Sequence, residues 1–476
     1  MKKSAFVIKA LFILLSAAIA VTGVSVIKVV LTVPGEMVLI EGEEYQYDIG
    51  SLFPISIKAD TEGILKIDEK TIERPFNHFG LSRPVSLSSD KGGSLKLNLR
   101  FFGVIPVKTI NVDVVSNKNL VACGNTVGVK IKLDGILVIG ISSVISGDEK
   151  IVPARNTGIK PGSVITAVNG KAAGSIDDLV DAIEQSGGKP LKIRFKTGET
   201  VQETLVTPAR SSEDGRYHIG LWVRDSTAGI GTLTFYDPDT GKFGALGHGI
   251  TDVDTGTLMS VKTGEILESD ILGVKMSRSG IPGELKGVFS EGRHLGTILA
   301  NTEVGIYGKL DRDAMGRLRG RIYPVGVRAN IREGPAKILS NIDGKNIEEY
   351  DIVIQKVSRQ SLNGSKGMII KITDERLLKT TGGIVQGMSG SPVIQDGRIV
   401  GAVTHVLVND PTRGYGIFIE TMLMNAAQTA CRKKWKFKEI KHGVPGRRHG
   451  YMSAKQLKTG VFCDKNKEIY LKNGRR

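Results

Sequence analysis

The stretch GGIVQGMSGSPV, residues 382–393, is the part of the sequence that says most about the fold and its chemistry. Ser389 lies between Gly387 and Gly390, so the chain can form a tight turn that exposes the hydroxyl. In such a turn, backbone N–H groups point at one spot beside the nucleophile. Acyl transfer needs a nucleophile next to hydrogen-bond donors for the developing oxyanion. The stretch therefore predicts a serine nucleophile, which also needs a base.

The base is expected to be a histidine, and the chain has seven. His248, in GALGHGI at residues 244–250, has small neighbours that leave room for a substrate and a hydroxyl. His405 and His294 are the next candidates. The remaining four lie near domain junctions, in the N-terminal region or in the basic C-terminal segment: His78, His218, His442 and His449.

A carboxylate should orient the imidazole. Asp374 follows an apolar run and suits a buried orienting role, although a helix N-cap is the simpler interpretation of that position. Asp252 and Asp254 are nearer to His248 along the chain and stay open as alternatives. Ser391 is a rival nucleophile, because it stands two residues after Ser389.

Composition places this segment in a β-rich chain. Glycine is unusually frequent, at 59 of 476 residues, which indicates many turns and short strands. The formal charge of 65 − 49 = +16 is uneven. Residues 432–476 carry 15 Lys and Arg against three acidic residues, a net of +12, so the other residues carry +4. The body of the protein need not bind an acidic partner.

The basic segment has three interpretations. A solvated tail is the simplest, and attraction to anionic lipid is the better functional one. Nucleic-acid binding is disfavoured, because the N-terminus indicates export. There an apolar run from Ala10 to Ile27 follows Lys2, Lys3 and Lys9 and is closed by Lys28. This pattern predicts a membrane anchor with the rest of the chain outside the cytoplasm. A cleaved signal peptide is the alternative, with a small-x-small site at residues 18–20.

Residues 30–115 alternate polar and apolar positions and predict a small β domain. Residues 116–204 add one helix, with Ser175 placed as its N-cap and Gly187-Gly188 at its end. The string ARNTGIKPGSVITAVNGK, residues 154–171, followed by that helix and a strand, resembles a PDZ domain. The resemblance implies a peptide groove beside Thr126, Val127, Gly128 and Val129, with Leu179 facing it. A domain that only spaces its neighbours is the alternative.

The segment around Ser389 matches the G-x-S-G-x-P motif of trypsin-like proteases. Together with GALGHG, the segment ITDERLL at residues 372–378 and residues 401–420, it resembles the stage IV sporulation protein B peptidases. The resemblance implies that Ser389 is the nucleophile, His248 the general base and Asp374 the orienting acid. It also implies that the amides of Gly387 and Ser389 form the oxyanion hole.

These observations together predict a mainly β fold in five parts: an anchor at 1–29, a small β domain at 30–115, a PDZ domain at 116–204, a trypsin-like double-barrel peptidase domain at 205–432 and a basic tail at 433–476. By resemblance, the protein is a serine endopeptidase of sporulation in the space between forespore and mother cell. There it would cleave a regulatory membrane protein, and it could also cleave itself. The alternative is an anchored PDZ scaffold that no longer cleaves. No phosphate loop or metal-ligand spacing appears, so no cofactor and no metal are expected.

Overall fold

The computed structural model describes residues 2–47, 55–72, 77–79, 84–358 and 364–427. The basic tail predicted at 433–476, with its two histidines, lies outside the described residues. The chain begins with the long helix α1 (Lys2–Thr32). Its segment Lys9–Thr32 is long and apolar enough to cross a membrane, a property that it shares with signal sequences. This helix is therefore a candidate membrane anchor.

A small β domain follows α1, as the alternating pattern predicts. One sheet has the strand order β1-β9-β8-β3-β6, and a second has the order β2-β7-β4-β5. The apolar residues of both sheets share a core with the end of α1. The strands are β1 (Glu36–Ile40), β2 (Glu44–Tyr47), β3 (Ile55–Ala59), β4 (Lys66–Ile67), β5 (Lys70–Thr71), β6 (Asn77–Phe79), β7 (Val85–Ser88), β8 (Gly93–Phe101) and β9 (Ile105–Val115).

The next part of the chain forms a barrel that a PDZ-like unit interrupts. Its elements are β10 (Asn119–Ala122), β11 (Thr126–Ile141), β12 (Val144–Ser146), β13 (Glu149–Ile151), β14 (Val164–Val168), β15 (Lys171–Ala172), α2 (Ile176–Gln185), β16 (Leu191–Thr197), β17 (Thr200–Val206), β18 (Ala209–Arg210), β19 (Tyr217–His218), β20 (Leu221–Tyr236), β21 (Lys242–Ala245), β22 (Val261–Lys275), β23 (Glu284–Thr302), β24 (Gly305–Leu310), α3 (Arg312–Arg317) and β25 (Arg321–Pro324).

Pairing closes six of these strands into a ring. The path β11-β22-β23-β24-β21-β20 returns to its start because β20 also pairs with β11. Strands β11 and β20 both run on beyond this ring, where Leu137–Ile141 pairs with Leu221–Arg224. The elements from β12 to β19 lie between these two long strands in sequence. The PDZ unit is thus inserted into the first barrel on a two-stranded ribbon.

A second closed barrel has the order β26-β27-β28-β31-β30-β29. A 3₁₀ turn (Arg328–Asn330) leads into it, and helix α4 lies between two of its strands. Its elements are β26 (Gly334–Asp343), β27 (Asn346–Val357), β28 (Met368–Ile372), α4 (Glu375–Thr381), β29 (Pro392–Gln395), β30 (Arg398–Leu407) and β31 (Asp410–Phe418). Two six-stranded barrels confirm the expected mainly β, trypsin-like architecture.

The insertion changes the predicted division of the chain. The sequence assigns residues 116–204 to the PDZ domain, whereas the structure uses Thr126–Leu133 as a wall strand of the first barrel. Sequence periodicity missed this because alternation predicts a strand but does not indicate which strands it pairs with. Only the pairing of residues more than ninety positions apart reveals it.

Candidate active site

The loop that carries Ser389 connects α4 to β29 and lies against the first barrel. Gly390 has φ +100°, and a Cβ there would lie 2.2 Å from the carbonyl oxygen of Thr232. Only glycine permits both this backbone conformation and this approach. The close contact places the loop directly on β20.

Thr232, which is fully buried, holds this loop by two hydrogen bonds. Its hydroxyl donates to the carbonyl oxygen of Gly387 at 2.7 Å, and its amide donates to that of Ser389 at 3.1 Å. Nothing in the sequence marks Thr232, which is one polar residue in an ordinary strand. Its importance depends on a contact across 155 residues.

The neighbouring peptide groups are also held. The amide of Met388 donates to the carbonyl oxygen of Val385 at 3.1 Å, and the amide of Gly390 donates to that of Val403 at 2.8 Å. Among the described residues, the amides of Gly387 and Ser389 have no hydrogen-bond acceptor. Two free N–H groups flanked by fixed peptide groups are the arrangement that an oxyanion hole requires.

The Ser389 side chain is partly exposed, and its hydroxyl donates to the carbonyl oxygen of Thr404 at 2.6 Å. The rival Ser391 is fully buried, and its hydroxyl contacts that of Ser340 at 3.1 Å. A substrate can therefore reach Ser389 but not Ser391.

His248 lies on the loop after β21, which is tied to the same strand. The amide of Leu246 donates to the carbonyl oxygen of Thr232 at 3.1 Å. Gly247 has φ +71°, and a Cβ there would lie 2.8 Å from the Thr404 methyl group. The His248 ring lies 4.8 Å from that of His405, the residue after Thr404. Thr232 and Thr404 therefore bring the serine loop and the histidine loop together.

The His248 ring uses Nδ1 to contact the carbonyl oxygen of Gly249 at 2.9 Å. This contact needs a proton on Nδ1, which leaves Nε2 as the free acceptor. Burial lowers the pKa of His248, and the Gly249 hydrogen bond opposes this effect. Burial also lowers the pKa of His405 to about 4, with smaller contributions from His248 and Lys366. Both rings are therefore neutral at neutral pH.

The structure does not bring Asp374 to His248. Asp374 is the N-cap of α4, where it accepts hydrogen bonds from the amides of Arg376 and Leu377. Its carboxylate also accepts from the Arg376 guanidinium at 2.8 Å and from the amide of Asp351 at 3.3 Å. The hydrogen bond of Arg376 is the main reason that the pKa of Asp374 falls to about 2. The N-cap interpretation describes this residue, and its orienting role stays a prediction.

The other open alternatives also have partners elsewhere. Asp252 is buried and forms an ion pair with Arg224, which also contacts Asp254 at 3.3 Å. His294 contacts Asp311 at 2.7 Å. His405 is the one alternative that the structure places beside His248.

The predicted PDZ groove requires a correction. Thr126–Val129 pairs with β20 along one edge and with β22 along the other, so no peptide can add there. Leu179 is buried in the core of the PDZ unit. The strand beside α2 is instead the start of β20, where Asp225 accepts a hydrogen bond from the amide of Ile176 at 3.0 Å. Among the described residues, Leu221–Arg224 pairs with β11 alone, which leaves its second edge open.

Comparison with known families agrees with this geometry. Residues 215–423 match the family described as SpoIVB peptidase S55, and residues 152–197 match a PDZ domain. The region that carries the histidine and serine loops is thus similar to the SpoIVB peptidase S55 family. This match over residues 215–423 indicates a serine peptidase domain. The matched region includes the loop of His248, the loop of Ser389 and the strands β30 and β31.

Individual relatives cover parts of the chain. A Lactococcus lactis protein whose name describes a zinc metalloprotease is 32% identical over 112 residues, which is 24% of each chain. This chain thus spans about a quarter of the length of that curated relative. Among the described residues, no three His, Cys, Asp or Glu side chains form a group that could hold a metal ion.

Two solved structures match parts of this chain. The PDZ domain of an SdrC-like protein from Listeria monocytogenes is 28% identical with a TM-score of 0.16, and the match covers 19% of this chain and 90% of that one. The Rv3671c protease in an inactive form is 12% identical with a TM-score of 0.25, and the match covers 42% of this chain and 84% of that one.

Proposed function

We propose that this protein is a membrane-anchored serine endopeptidase in which Ser389 is the nucleophile and His248 the general base. The observation that carries the proposal is the pair of unpaired amides at Gly387 and Ser389, next to a partly exposed serine hydroxyl. These amides would donate to the oxyanion when Ser389 Oγ adds to the substrate carbonyl carbon.

The proton path follows from the His248 tautomer. His248 Nε2 is free to accept the Ser389 proton, because Nδ1 faces the carbonyl oxygen of Gly249. The Ser389 hydroxyl first has to turn from Thr404 toward this nitrogen. The resulting imidazolium then donates the proton to the leaving amine, and the acyl-enzyme is hydrolysed by the reverse sequence. In this proposal the Gly249 carbonyl orients the ring, in place of the expected carboxylate.

The substrate is a protein, and the PDZ unit holds a segment of it or of a regulator. The open edge of Leu221–Arg224 beside α2 allows an extended peptide to add as a strand. Leu221 and Val223 pack into the same cluster as Leu179, so apolar side chains line the position. This site takes the place of the groove predicted beside Thr126–Val129.

The biological setting is proposed from the family and from α1. A SpoIVB-type peptidase with an N-terminal anchor suits sporulation signalling between forespore and mother cell. The protein would act outside the cytoplasm on a regulatory membrane protein, so that a late sigma factor becomes active. The apolar segment Lys9–Thr32 supports the anchoring, and the PDZ match supports a peptide partner.

The test uses the purified full chain in detergent with a fluorophosphonate probe, which labels an activated serine. We expect labelling and hydrolysis of a casein substrate by the native chain and by Ser391→Ala, and neither by Ser389→Ala. The size of the chain over hours reports self-cleavage in the same samples. If the native chain is neither labelled nor able to cleave casein, the non-catalytic PDZ scaffold replaces this proposal. If Ser389→Ala cleaves as well as the native chain, Ser389 is not the nucleophile.

A further inference from the structure

The turn between β8 and β9 exposes a cluster of large apolar side chains. Val104 is 75% exposed, Phe102 is 51% exposed and Ile105 is 44% exposed. All three residues lie in one hairpin turn, residues 101–105, which we call the hairpin tip. Such a concentration of apolar groups at the end of a hairpin marks a surface that meets an apolar partner.

The backbone conformation of the hairpin tip is unfavourable for Phe102, the residue at its first central position. Phe102 has φ +52° and Gly103 has φ +75°, and the amide of Val104 donates to the carbonyl oxygen of Phe101 at 3.0 Å. These are the features of a two-residue turn with positive φ at both central positions, where Asn or Gly is preferred. A phenylalanine with positive φ is uncommon and strained. The turn therefore has an aromatic residue at its apex, although its backbone conformation favours Asn or Gly there.

Strand β9, which follows the hairpin tip, contacts the end of the membrane-anchor helix. The Lys108 ammonium group donates to the carbonyl oxygens of Val30 at 2.7 Å and Val33 at 2.5 Å, at the end of α1. The amide of Asn111 donates to the carbonyl oxygen of Gly35 at 2.9 Å. The earlier residue of β9, Lys108, thus contacts the earlier residues Val30 and Val33, and the later residue, Asn111, contacts the later residue Gly35. Strand β9 and helix α1 run in the same direction at this contact.

This direction sets the level of the hairpin tip along α1. Val104 precedes Lys108 by four residues, about 13 Å of strand. The same length corresponds to about nine residues of helix. The hairpin tip is therefore level with the interior of the apolar segment Lys9–Thr32, not with its end. The helix face that bears Ser25, Val29 and Val33 is correspondingly buried.

The charge of the hairpin also suits a lipid surface. Residues 93–112 contain Lys96, Arg100 and Lys108 and no Asp or Glu. Basic residues next to an apolar tip are attracted by anionic headgroups while the tip enters the acyl region.

We propose that the hairpin tip inserts into the bilayer beside α1 and forms a second membrane contact. The inference rests on the anchoring of α1 that is part of the proposed function. Two contacts, one helical and one at the hairpin, would fix the rotation of the β domain on the membrane and hold the barrels in one orientation.

The test places one fluorescent probe at a time in the full chain. Cys431→Ser and Cys463→Ser remove the other thiols that a label could reach, because Cys123 is buried. The cysteine for labelling with the environment-sensitive dye NBD is then added as Val104→Cys, as Leu14→Cys in α1, or as Val253→Cys in the first barrel. The chains are reconstituted into phosphatidylcholine–phosphatidylglycerol vesicles with and without doxyl-labelled lipid.

We expect doxyl lipid to quench the probes at positions 104 and 14 several-fold more than the probe at 253, which is 87% exposed. Quenching at 14 without quenching at 104 overturns the hairpin proposal and leaves the anchor intact. Loss of quenching at 14 shows that the anchoring itself has failed. If the hairpin tip docks on a protein instead of the bilayer, doxyl lipid will also quench the probe at 14 but not the probe at 104.

A second variant separates insertion from folding. Phe102→Asn in the Val104→Cys chain suits the turn better and removes the ring. We expect less quenching at position 104 with equal or higher thermal stability. Unchanged quenching in this variant would show that the Phe102 ring does not contribute to the contact.

Discussion

The Ser389 hydroxyl donates a 2.6 Å hydrogen bond to the carbonyl oxygen of Thr404, the residue immediately before His405. The serine proton is therefore held by the main chain of β30, which also carries His405, whose ring lies 4.8 Å from that of His248. In the proposed mechanism, the hydroxyl has to leave this carbonyl oxygen before it can transfer its proton to His248.

The two serines of the loop should respond differently to removal of the hydroxyl. Ser389→Ala should lower kcat by roughly 10⁴-fold or more, because the nucleophile is lost. Ser391→Ala should leave kcat close to native and lower the free energy of unfolding by about 1 kcal/mol, since its buried contact with Ser340 is lost. Steady-state kinetics and chemical denaturation check both. The reverse pattern would make Ser391 the nucleophile.

Thr232 should act as a positioning residue for the oxyanion hole. Thr232→Val removes the hydroxyl that donates to Gly387 and keeps the shape of the side chain. We expect kcat to fall about 10-fold or more with little change in KM, because the free amides lose their alignment. Thr232→Ser keeps the donor and should restore most of kcat. Equal kinetics for the Val and Ser variants would show that the hydroxyl has only a structural role.

The pH dependence of kcat/KM should report His248. A general base must be neutral, so kcat/KM should rise with pH through the pKa of His248 in the free enzyme. Burial lowers that pKa, and the midpoint should therefore lie below 6.5. His294→Gln is a matched control that should leave the midpoint unchanged. A midpoint at or above 6.5 would contradict the buried environment of His248.

We expect Asp374 to stabilise α4 as its N-cap and not to contribute to catalysis. Asp374→Asn keeps an N-cap acceptor and removes the charge that pairs with Arg376. We expect kcat/KM within about threefold of native, whereas loss of an orienting acid costs about 10⁴-fold in kcat.

The same variant tests the low pKa of Asp374. A carboxyl group whose pKa is about 2 in the folded state and 3.8 in the unfolded state stabilises the fold above pH 3.8. This stabilisation is lost as the pH falls toward about 2. The native chain should lose it on acidification and Asp374→Asn should not, as denaturation at several pH values would show.

Glu420 should make stability fall as the pH rises. It is buried, accepts a hydrogen bond from the amide of Arg328 at 2.8 Å, and its second oxygen lies 3.6 Å from the Arg328 guanidinium. Burial raises the pKa of Glu420 to about 7 in the folded state, against 4.5 as its ordinary value. The protonated form therefore favours the fold below pH 4.5, and this contribution disappears as the pH rises through about 7.

Glu420→Gln is expected to remove that slope between pH 4.5 and 7, measured by thermal unfolding. Glu199→Gln, at an exposed position, is the control and should keep the native slope. A native chain whose stability does not change over this range would contradict the raised pKa of Glu420.

Local sequence was sufficient for several features of this protein. The glycines around Ser389 and before His248 have positive φ, so their positions record turns that other residues cannot adopt. The helix at Ile176–Gln185 and its N-cap Ser175 follow from apolar spacing and a capping box within a few residues. The apolar run near the N-terminus forms one long helix, as its length and apolar composition predict for a membrane anchor.

Other features depended on contacts between distant residues. The sequence predicts strands of the PDZ unit within β11, yet the first half of β11 closes a barrel with β20 and β22. The sequence could not show that the Asp374 carboxylate accepts a hydrogen bond from the Arg376 guanidinium. Thr232, which holds the loop of Ser389, has no distinguishing sequence around it.

The physical reason is the range of the interactions involved. Turns, caps and an apolar helix are determined by backbone conformation and by neighbours within about four residues, so the sequence by itself determined them. Strand pairing and the partner of a buried polar group depend on which surfaces meet after the chain has folded. The turns around Ser389 and His248 could thus be predicted from the sequence, whereas the strand that joins their loops was decided only by the tertiary structure.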